Sequence, residues 1–158
     1  VQKGKTTLTD TNWYDLYKKC TTLNASDIVE SKMIWGIQWD LACDFISKKG
    51  EQKSITNSNT WGNYADSTGK AAVMNGTTKM YGNKQVTGFS EYWKANNIYD
   101  LAGNCWEWTQ GADNTGYRVG RGGRCGRNGS GYPASDRVNG SANNGGDSTC
   151  SRPTLIIK

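Results

Sequence analysis

The sequence predicts an α+β fold in which two helices pack on a small, mostly antiparallel sheet and long irregular loops join the elements. Three observations support this class. Apolar residues recur at helical spacing within residues 13–19 and 34–49, short apolar runs typical of strands occupy residues 97–109 and 154–157, and the chain between these regions is largely polar. At 158 residues the chain fits one domain with a sizeable core.

The N-terminal part of the chain is predicted to form a strand followed by a helix. Residues 1–9 are assigned to the strand, and any of residues 9–11 can cap the helix that follows. Because Trp13, Leu16 and Tyr17 recur at helical spacing, we expect these side chains to face the core.

Residues 34–49 are predicted to form the second helix, with Gly50 as its stop signal. The apolar stripe that we expect to face the core comprises Ile37, Leu41, Phe45 and Ile46. Trp39 and Cys43 are expected to lie near this stripe.

Polar loops are predicted to fill much of the remaining chain. Residues 51–90 form a long loop with turns at residues 75–76 and 82–83, and such loops in compact domains often carry function. Residues 117–119 and 154–157 are short strand candidates, and the Gly-, Ser- and Asn-rich chain between them is expected to be mostly loop.

Residues 97–109 are predicted to form a strand pair or strand-turn-strand unit with its turn at residues 102–104. Trp106 and Trp108 then face one side and Glu107 the other. We expect both indoles to be core rather than a sugar site, because aromatics dominate burial in a chain with few large aliphatics. Glu107 is expected to be solvated or salt-bridged rather than catalytic, since no partner carboxylate stands at a defined spacing.

Residues 111–152 differ abruptly from the rest of the chain. They hold 11 of the 20 Gly and every Arg, but no Lys, Glu, Gln, Leu, Ile, Phe, Met or Trp. We therefore divide one domain, residues 1–158, into a scaffold (1–109 and 153–158) and a variable ligand-binding segment (111–152). The residues expected to stabilise the scaffold are Trp39, Trp106, Trp108, Arg121 and Arg137.

Composition excludes several classes of function. The chain has no His, which removes Ser-His-Asp and Cys-His catalysis and imidazole-based metal sites. Its five Cys show no CxxC spacing, so a zinc ribbon is not expected, and their pairing cannot be read from the sequence. The net charge of +5 favours acidic partners only weakly. No apolar run is long enough to span a membrane, and a secretion or anchoring segment is expected to lie outside these residues.

A series of motifs follows the second predicted helix, which contains Gln38-Trp39-Asp40. YDLAGN occupies residues 99–104, WEWT residues 106–109, RGG residues 121–123 and SRP residues 151–153. In this order, over residues 32–158, the motifs resemble those of the formylglycine-generating enzyme superfamily. The resemblance implies a C-type-lectin-like fold.

Within that superfamily the resemblance implies two alternative functions, of which the first is enzymatic. The enzyme oxidises a substrate cysteine to formylglycine with two cysteines placed shortly after the Arg-Gly-Gly. Here Cys125 is the only thiol near that place, and Cys150 is the next. The thiol or copper-binding pair is therefore missing, and related iron-dependent sulfur-transfer enzymes need His ligands, so we expect no enzyme.

The second alternative is display of a diversified surface. The chain is similar to variable proteins of diversity-generating retroelements, in which adenines of the C-terminal segment are hypermutated and AAC codons become NNC. An NNC codon can encode Arg but not Lys, Glu, Gln, Met or Trp, and every residue of 111–152 belongs to the NNC set. The resemblance implies a ligand-binding display protein, with a fixed-specificity lectin-like adhesin as a further alternative.

The variable contacts are expected on an exposed surface within residues 118–150, with Arg and Tyr as anchors. The predicted ligand-binding positions are Arg124, Cys125, Arg127, Tyr132, Asp136, Val138, Asn139, Asn144, Asp147 and Thr149. No catalytic residue is expected. The resemblance implies a protein or glycan ligand on a target cell surface, and an extracellular location on a cell surface, in a pilin-like protein, or on a phage tail.

The sequence also contains features typical of two other kinds of ligand, RNA and calcium. Residues 120–127 contain an Arg-Gly-Gly element of the kind that binds RNA, but it is a single run that overlaps the fold motif, so no nucleic-acid partner is expected. The residues with oxygens suited to a structural calcium ion are Asp113, Asn114, Asp136, Asn143, Asn144 and Asp147. They match no EF-hand pattern, and no other cofactor is expected.

Overall fold

The computed structural model describes residues 3–23 and 26–158. Two α-helices, α1 (Trp13–Thr22) and α2 (Gly36–Lys48), lie near the predicted positions, and a single 3-10 turn spans Gly69–Ala71. Together with the small sheets described below, they confirm the α+β class.

The predicted first strand over residues 1–9 is wrong. Residues 3–9 are irregular, and residues 1 and 2 lie outside the described part of the chain. Gly4 has a φ of 74°, a left-handed conformation that interrupts extended backbone, and its N–H donates to the carbonyl of Thr87 at 2.7 Å. The segment therefore runs over the loop at residue 87 instead of joining a sheet.

The N-cap of α1 is Asn12, one residue after the predicted caps at residues 9–11. The side chain of Asn12 accepts a hydrogen bond from the N–H of Asp15 at 3.0 Å and so caps the helix. Trp13 and Leu16 are buried as predicted, and Tyr17 stacks on the Trp13 ring with 5.0 Å between centroids. This face of α1 forms one of the two core clusters.

The predicted core stripe of α2 is wrong for three of its four residues. Ile37, Leu41 and Phe45 are 65%, 63% and 50% exposed, whereas Ile46 is buried with Trp39 and Cys43. The physical reason is Trp39: its indole fills the second core cluster and its N–H donates to the carbonyl of Ala134 at 2.8 Å. The helix is turned to bury this larger side chain with its donor satisfied.

The strands form four small sheets. Three are antiparallel pairs: β1 (Val29–Met33) with β10 (Pro153–Ile157), β2 (Met74–Asn75) with β3 (Thr78–Lys79), and β4 (Lys94–Ala95) with β5 (Ile98–Tyr99). The fourth has the order β8-β7-β6-β9 and comprises β6 (Trp106–Ala112), β7 (Tyr117–Arg121), β8 (Arg137–Ser141) and β9 (Thr149–Ser151). Within it only β6 and β9 are parallel.

The segment between residues 119 and 154 is mostly loop, as predicted, but it also contains β8 and β9, which were not expected and which pair with β7 and β6. The expected strand pair at residues 97–109 needs correction. The turn at residues 102–104 is present, with Gly103 and Asn104 at positive φ, but β5 and β6 on either side belong to different sheets.

A buried ion pair joins β6 to the short link between β9 and β10. The guanidinium of Arg152 donates to both carboxylate oxygens of Glu107, at 2.8 and 2.7 Å, and to the carbonyl of Tyr99 at 2.9 Å. The Glu107 side chain is 2% exposed. Of the two expectations for Glu107, solvated or salt-bridged, the second is confirmed.

Asp100 adds a second buried carboxyl near this pair, and it makes the stability of the fold depend on pH. Burial raises the pKa of Asp100 from its usual 3.8 to about 6, although the N–H of Gly88 donates to Oδ2. Oδ1 has no hydrogen-bond partner among the described residues. The folded state therefore disfavours the carboxylate, and this penalty is complete above the folded pKa and disappears below the unfolded one.

Asp100→Asn removes the buried charge. We therefore expect the change that it causes in the free energy of unfolding to be more stabilising at pH 7 than at pH 4, by about 1–3 kcal/mol. Asn also tolerates the positive φ of this position. Denaturant unfolding of both proteins at several pH values measures this difference. A stability difference that stays constant from pH 4 to 7 would contradict the raised pKa.

Candidate ligand-binding face

A cavity of about 240 Å³ opens beside the four-stranded sheet, between β6, β7, β8 and the segment 144–149. Trp106 and Trp108 line it from β6, and Gly120 lies on β7. Four of the predicted ligand-binding positions line the same cavity: Val138, Asn139, Asn144 and Thr149. The structure therefore brings together predicted residues that are as far apart in the sequence as Val138 and Thr149.

Two more predicted positions continue this surface away from the cavity. The Tyr132 ring meets the Trp106 ring edge-on, with 6.0 Å between centroids and an interplanar angle of 84°. The guanidinium of Arg127 lies 5.1 Å from the centroid of Tyr132. A row of contacting groups thus runs from the cavity to the exposed Arg127 side chain.

A third group of contacts connects Arg124 and Asp147. Arg124 Nη1 donates to Oγ of Ser148 at 3.4 Å, and Ser148 donates to Oδ1 of Asp147 at 2.9 Å. The ammonium of Lys84 donates to the carbonyl of Asp147. This contact ties the segment 144–149 to the loop that contains residue 84. We use "binding face" for the cavity lining together with Arg124, Arg127, Tyr132 and Asp147.

Two predicted positions do not fit this face. Cys125 is only 6% exposed, so its predicted exposure is wrong: its N–H donates to the carbonyl of Asn104 at 3.1 Å, which draws it inward. Asp136 is half-buried in the turn after Pro133, whose carbonyl accepts from its N–H at 2.9 Å, and it does not line the cavity.

The two tryptophans of β6 have different environments, although both point to one side of the strand. Trp108 is 6% exposed and packs in the core cluster of α1, as predicted. Gly140 lies directly over it, since a Cβ at residue 140 would come within 2.5 Å of the indole. Trp106 is only partly buried and remains available at the cavity, so its assignment to the core is wrong.

The Arg-Gly-Gly motif at residues 121–123 is a structural element of this fold. Arg121 is 1% exposed and pairs with Asp40 of α2, which also pairs with the more exposed Arg137. Gly122 and Gly123 have φ values of 87° and 76°. A Cβ at Gly123 would overlap the carbonyl oxygen of Tyr132, so the motif requires glycine for backbone conformation and for close packing.

All five cysteines are free thiols. Burial raises the pKa of Cys125, and it also raises the pKa of Cys43 to about 11. A raised pKa disfavours the thiolate, which is the form that attacks substrates and binds metals. These two thiols are therefore poorly suited to redox or metal chemistry at neutral pH.

Of the residues with oxygens suited to calcium, Asp113 and Asn114 accept local hydrogen bonds. Asp113 accepts from the amide of Asn139 at 2.9 Å, and Asn114 accepts from the N–H of Gly116 at 3.0 Å. Within residues 3–23 and 26–158, no group of three or more His, Cys, Asp or Glu side chains is arranged to hold a metal ion. No helix in the described part of the chain is long and apolar enough to cross a membrane.

The architecture is that of a C-type-lectin-like fold, as the sequence motifs implied. The chain is similar to the structure of PvdO from Pseudomonas aeruginosa, with a TM-score of 0.67 and 14% identity. That match covers 100% of this chain and 64% of PvdO. It is also similar to Treponema denticola variable protein 1, with a TM-score of 0.63 and 15% identity, over 98% of this chain and 72% of that one. The chain thus spans less than two thirds of PvdO. It matches no protein-family model and no curated protein sequence.

Proposed function

We propose that this protein is a ligand-binding display protein whose binding face is diversified to change its specificity. The observation that carries the proposal is the separation of roles within residues 111–152. Apart from Trp108, side chains of the binding face are exposed or partly exposed, whereas the backbone beneath them is held by buried groups such as Arg121, Gly123 and Ala134. Substitutions on such a face change contacts without removing the core.

Two further findings support this proposal. The composition break at residue 111 coincides with the part of the chain that supplies most of the binding face. A variable protein is among the structural neighbours, although the low identity carries only the fold. The alternative, a formylglycine-generating-type oxidase, would need accessible thiols that ionise, and Cys125 is buried with a raised pKa.

The proposed ligand is a protein or glycan on the surface of a target cell. The proposed location is extracellular, on a cell surface or a phage tail, and the binding function requires no catalytic residue and no cofactor. Nucleic acid is not the proposed partner, because Arg121 of the Arg-Gly-Gly run is occupied by Asp40. A fixed-specificity adhesin would use the same face without diversification.

Deep sequencing of the gene and its flanking DNA in a source population tests the diversification. We expect substitutions concentrated in NNC-type codons of the binding face, beside a near-identical template repeat and a reverse transcriptase gene. Buried positions such as Gly123 and Ala134 should be constant. A uniform segment without a template repeat would contradict diversification and would indicate a binding domain of fixed specificity.

Arg127→Ala should change the free energy of unfolding by no more than about 0.5 kcal/mol, because the side chain is exposed and its contact with Tyr132 lies at the surface. Thermal unfolding measures this, and Ala134→Asp, at a position with 0% exposure, is the buried counterpart that should unfold the protein. A large loss of stability in Arg127→Ala would place Arg127 in the scaffold and argue against its role as a variable contact.

A further inference from the structure

The cavity of the binding face combines one aromatic surface with a neutral polar rim. Trp106 supplies the aromatic surface, and Asn144 and Thr149 supply an amide and a hydroxyl. None of the residues lining this cavity, all within the described part of the chain, carries an ionisable side chain. A charged ligand would find no counter-charge in the lining, and a wholly apolar ligand would leave the rim groups without partners.

Four glycines contribute backbone to the cavity wall: Gly120, Gly140, Gly145 and Gly146. A side chain at Gly140 would collide with the Trp108 indole, so the wall at this point stays flat. Flat walls beside an aromatic ring suit a rigid ring-shaped ligand better than a branched aliphatic side chain.

The hydrogen-bonding groups at the rim suit a ligand with hydroxyls. Asn144 and Thr149 line the cavity with an exposed amide and a half-buried hydroxyl, groups that can both donate and accept hydrogen bonds.

We propose that this cavity binds one neutral sugar ring, with a C–H face of the pyranose on the Trp106 indole and its hydroxyls at the Asn and Thr side chains of the rim. The proposal rests on the ligand-binding function proposed above and names the class of its ligand. An aromatic face is electron-rich and attracts the weakly positive C–H groups of a pyranose, while amides and hydroxyls exchange hydrogen bonds with its edge.

The position of Trp106 in the chain divides this site into two parts. Trp106 precedes the composition break at residue 111, whereas Val138, Asn139, Asn144 and Thr149 follow it and belong to the set that NNC codons encode. Diversification would therefore leave the stacking platform constant and change only the rim. Variants should share the need for a ring-shaped sugar unit and differ in which sugar they bind.

The test is saturation-transfer NMR and titration of the whole chain with methyl glycosides of neutral hexoses and N-acetylhexosamines. We expect at least one to bind at millimolar concentration, and Trp106→Ala to weaken that binding by roughly tenfold or more. Trp106→Phe should retain part of it. Trp35→Ala is the matched control, because this indole is 49% exposed at the start of α2 and does not line the cavity.

Folding of each variant is checked by thermal unfolding. If Trp106→Ala does not fold, Asn144→Ala removes an exposed rim side chain and should weaken glycoside binding several-fold. Absence of glycoside binding by the wild type, or binding that Trp106→Ala leaves unchanged, would overturn the sugar proposal. Population sequencing separates the two proposals: diversified codons without glycoside binding would keep the display function and favour a protein ligand.

Discussion

Glu107→Ala is expected to destabilise the protein by about 3–5 kcal/mol, because it leaves the Arg152 guanidinium in the interior without its carboxylate. The Arg152 side chain is 16% exposed, so little water can replace the lost partner. For a chain of this size the loss corresponds to a fall in melting temperature of roughly 6–20 °C. Glu107 lies on β6 and Arg152 lies between β9 and β10. The variant therefore removes the ion pair that connects these strands beneath the binding face.

The exposed pair between Asp44 and Lys48 on α2 is the matched control. Its side chains are 57% and 67% exposed, and Asp44→Ala should cost no more than about 0.5 kcal/mol. Replacing both partners of the buried pair, as in Glu107→Leu with Arg152→Met, should recover part of the stability because no unpaired charge remains. A loss of less than about 1 kcal/mol in Glu107→Ala would mean that water reaches Arg152.

Local sequence patterns identify the helices but not the side of a helix that is buried. Trp13 and Leu16 are recognised by their spacing, because the packing of α1 depends mainly on its own apolar face. For α2 the spacing of Ile37, Leu41 and Phe45 is misleading. The rotation of α2 is set by Trp39 and by the pair of Asp40 with Arg121, which is a contact over 81 positions in the chain.

The strands β8 and β9 were not predicted because long-range contacts, and not local sequence patterns, determine them. Their residues, Arg137–Ser141 and Thr149–Ser151, have weak strand propensity, and pairing with β7 and β6 makes them extended. By contrast, β1 alternates in a recognisable way: Ser31 and Met33 are buried, and Glu30 pairs with Lys32 on the other side. That alternation in residues 29–33 is a signal that could have predicted the strand.

For the binding face, composition indicated the segment and the structure determined which side chains meet. Four predicted positions converge on one cavity. The burial of Cys125 and the different environments of Trp106 and Trp108 depend on contacts with Asn104 and Gly140 that no local pattern encodes. Period-two spacing places both indoles on one side of β6, but contacts with α1 and with the distant Gly140 determine that Trp108 is the one that is covered.

Gly123→Ala is expected to destabilise the protein by about 2–5 kcal/mol. A non-glycine residue at a positive φ costs about 1–2 kcal/mol, and the added Cβ overlaps the Tyr132 carbonyl in a packed region, which adds about 1–3 kcal/mol. The same Cβ would also lie 2.8 Å from the Tyr64 ring, whose hydroxyl donates to the carbonyl of Gly122 at 2.8 Å. Because Tyr64 is 0% exposed, it has no room to move away.

Gly126→Ala, three residues along the same loop, is the matched control. Gly126 is exposed, and the nearest atoms to a Cβ at this position are the guanidinium atoms of Arg124, at 4.0 Å. We expect its free energy of unfolding to change by no more than about 0.5 kcal/mol. Equal effects of the two substitutions would contradict the separation between a fixed backbone and a replaceable surface. A large loss at Gly123 alone would show that packing fixes the backbone of this loop at residue 123, while a side chain three residues away can be changed without cost. A fixed backbone under replaceable side chains is the physical condition that the proposed display function requires.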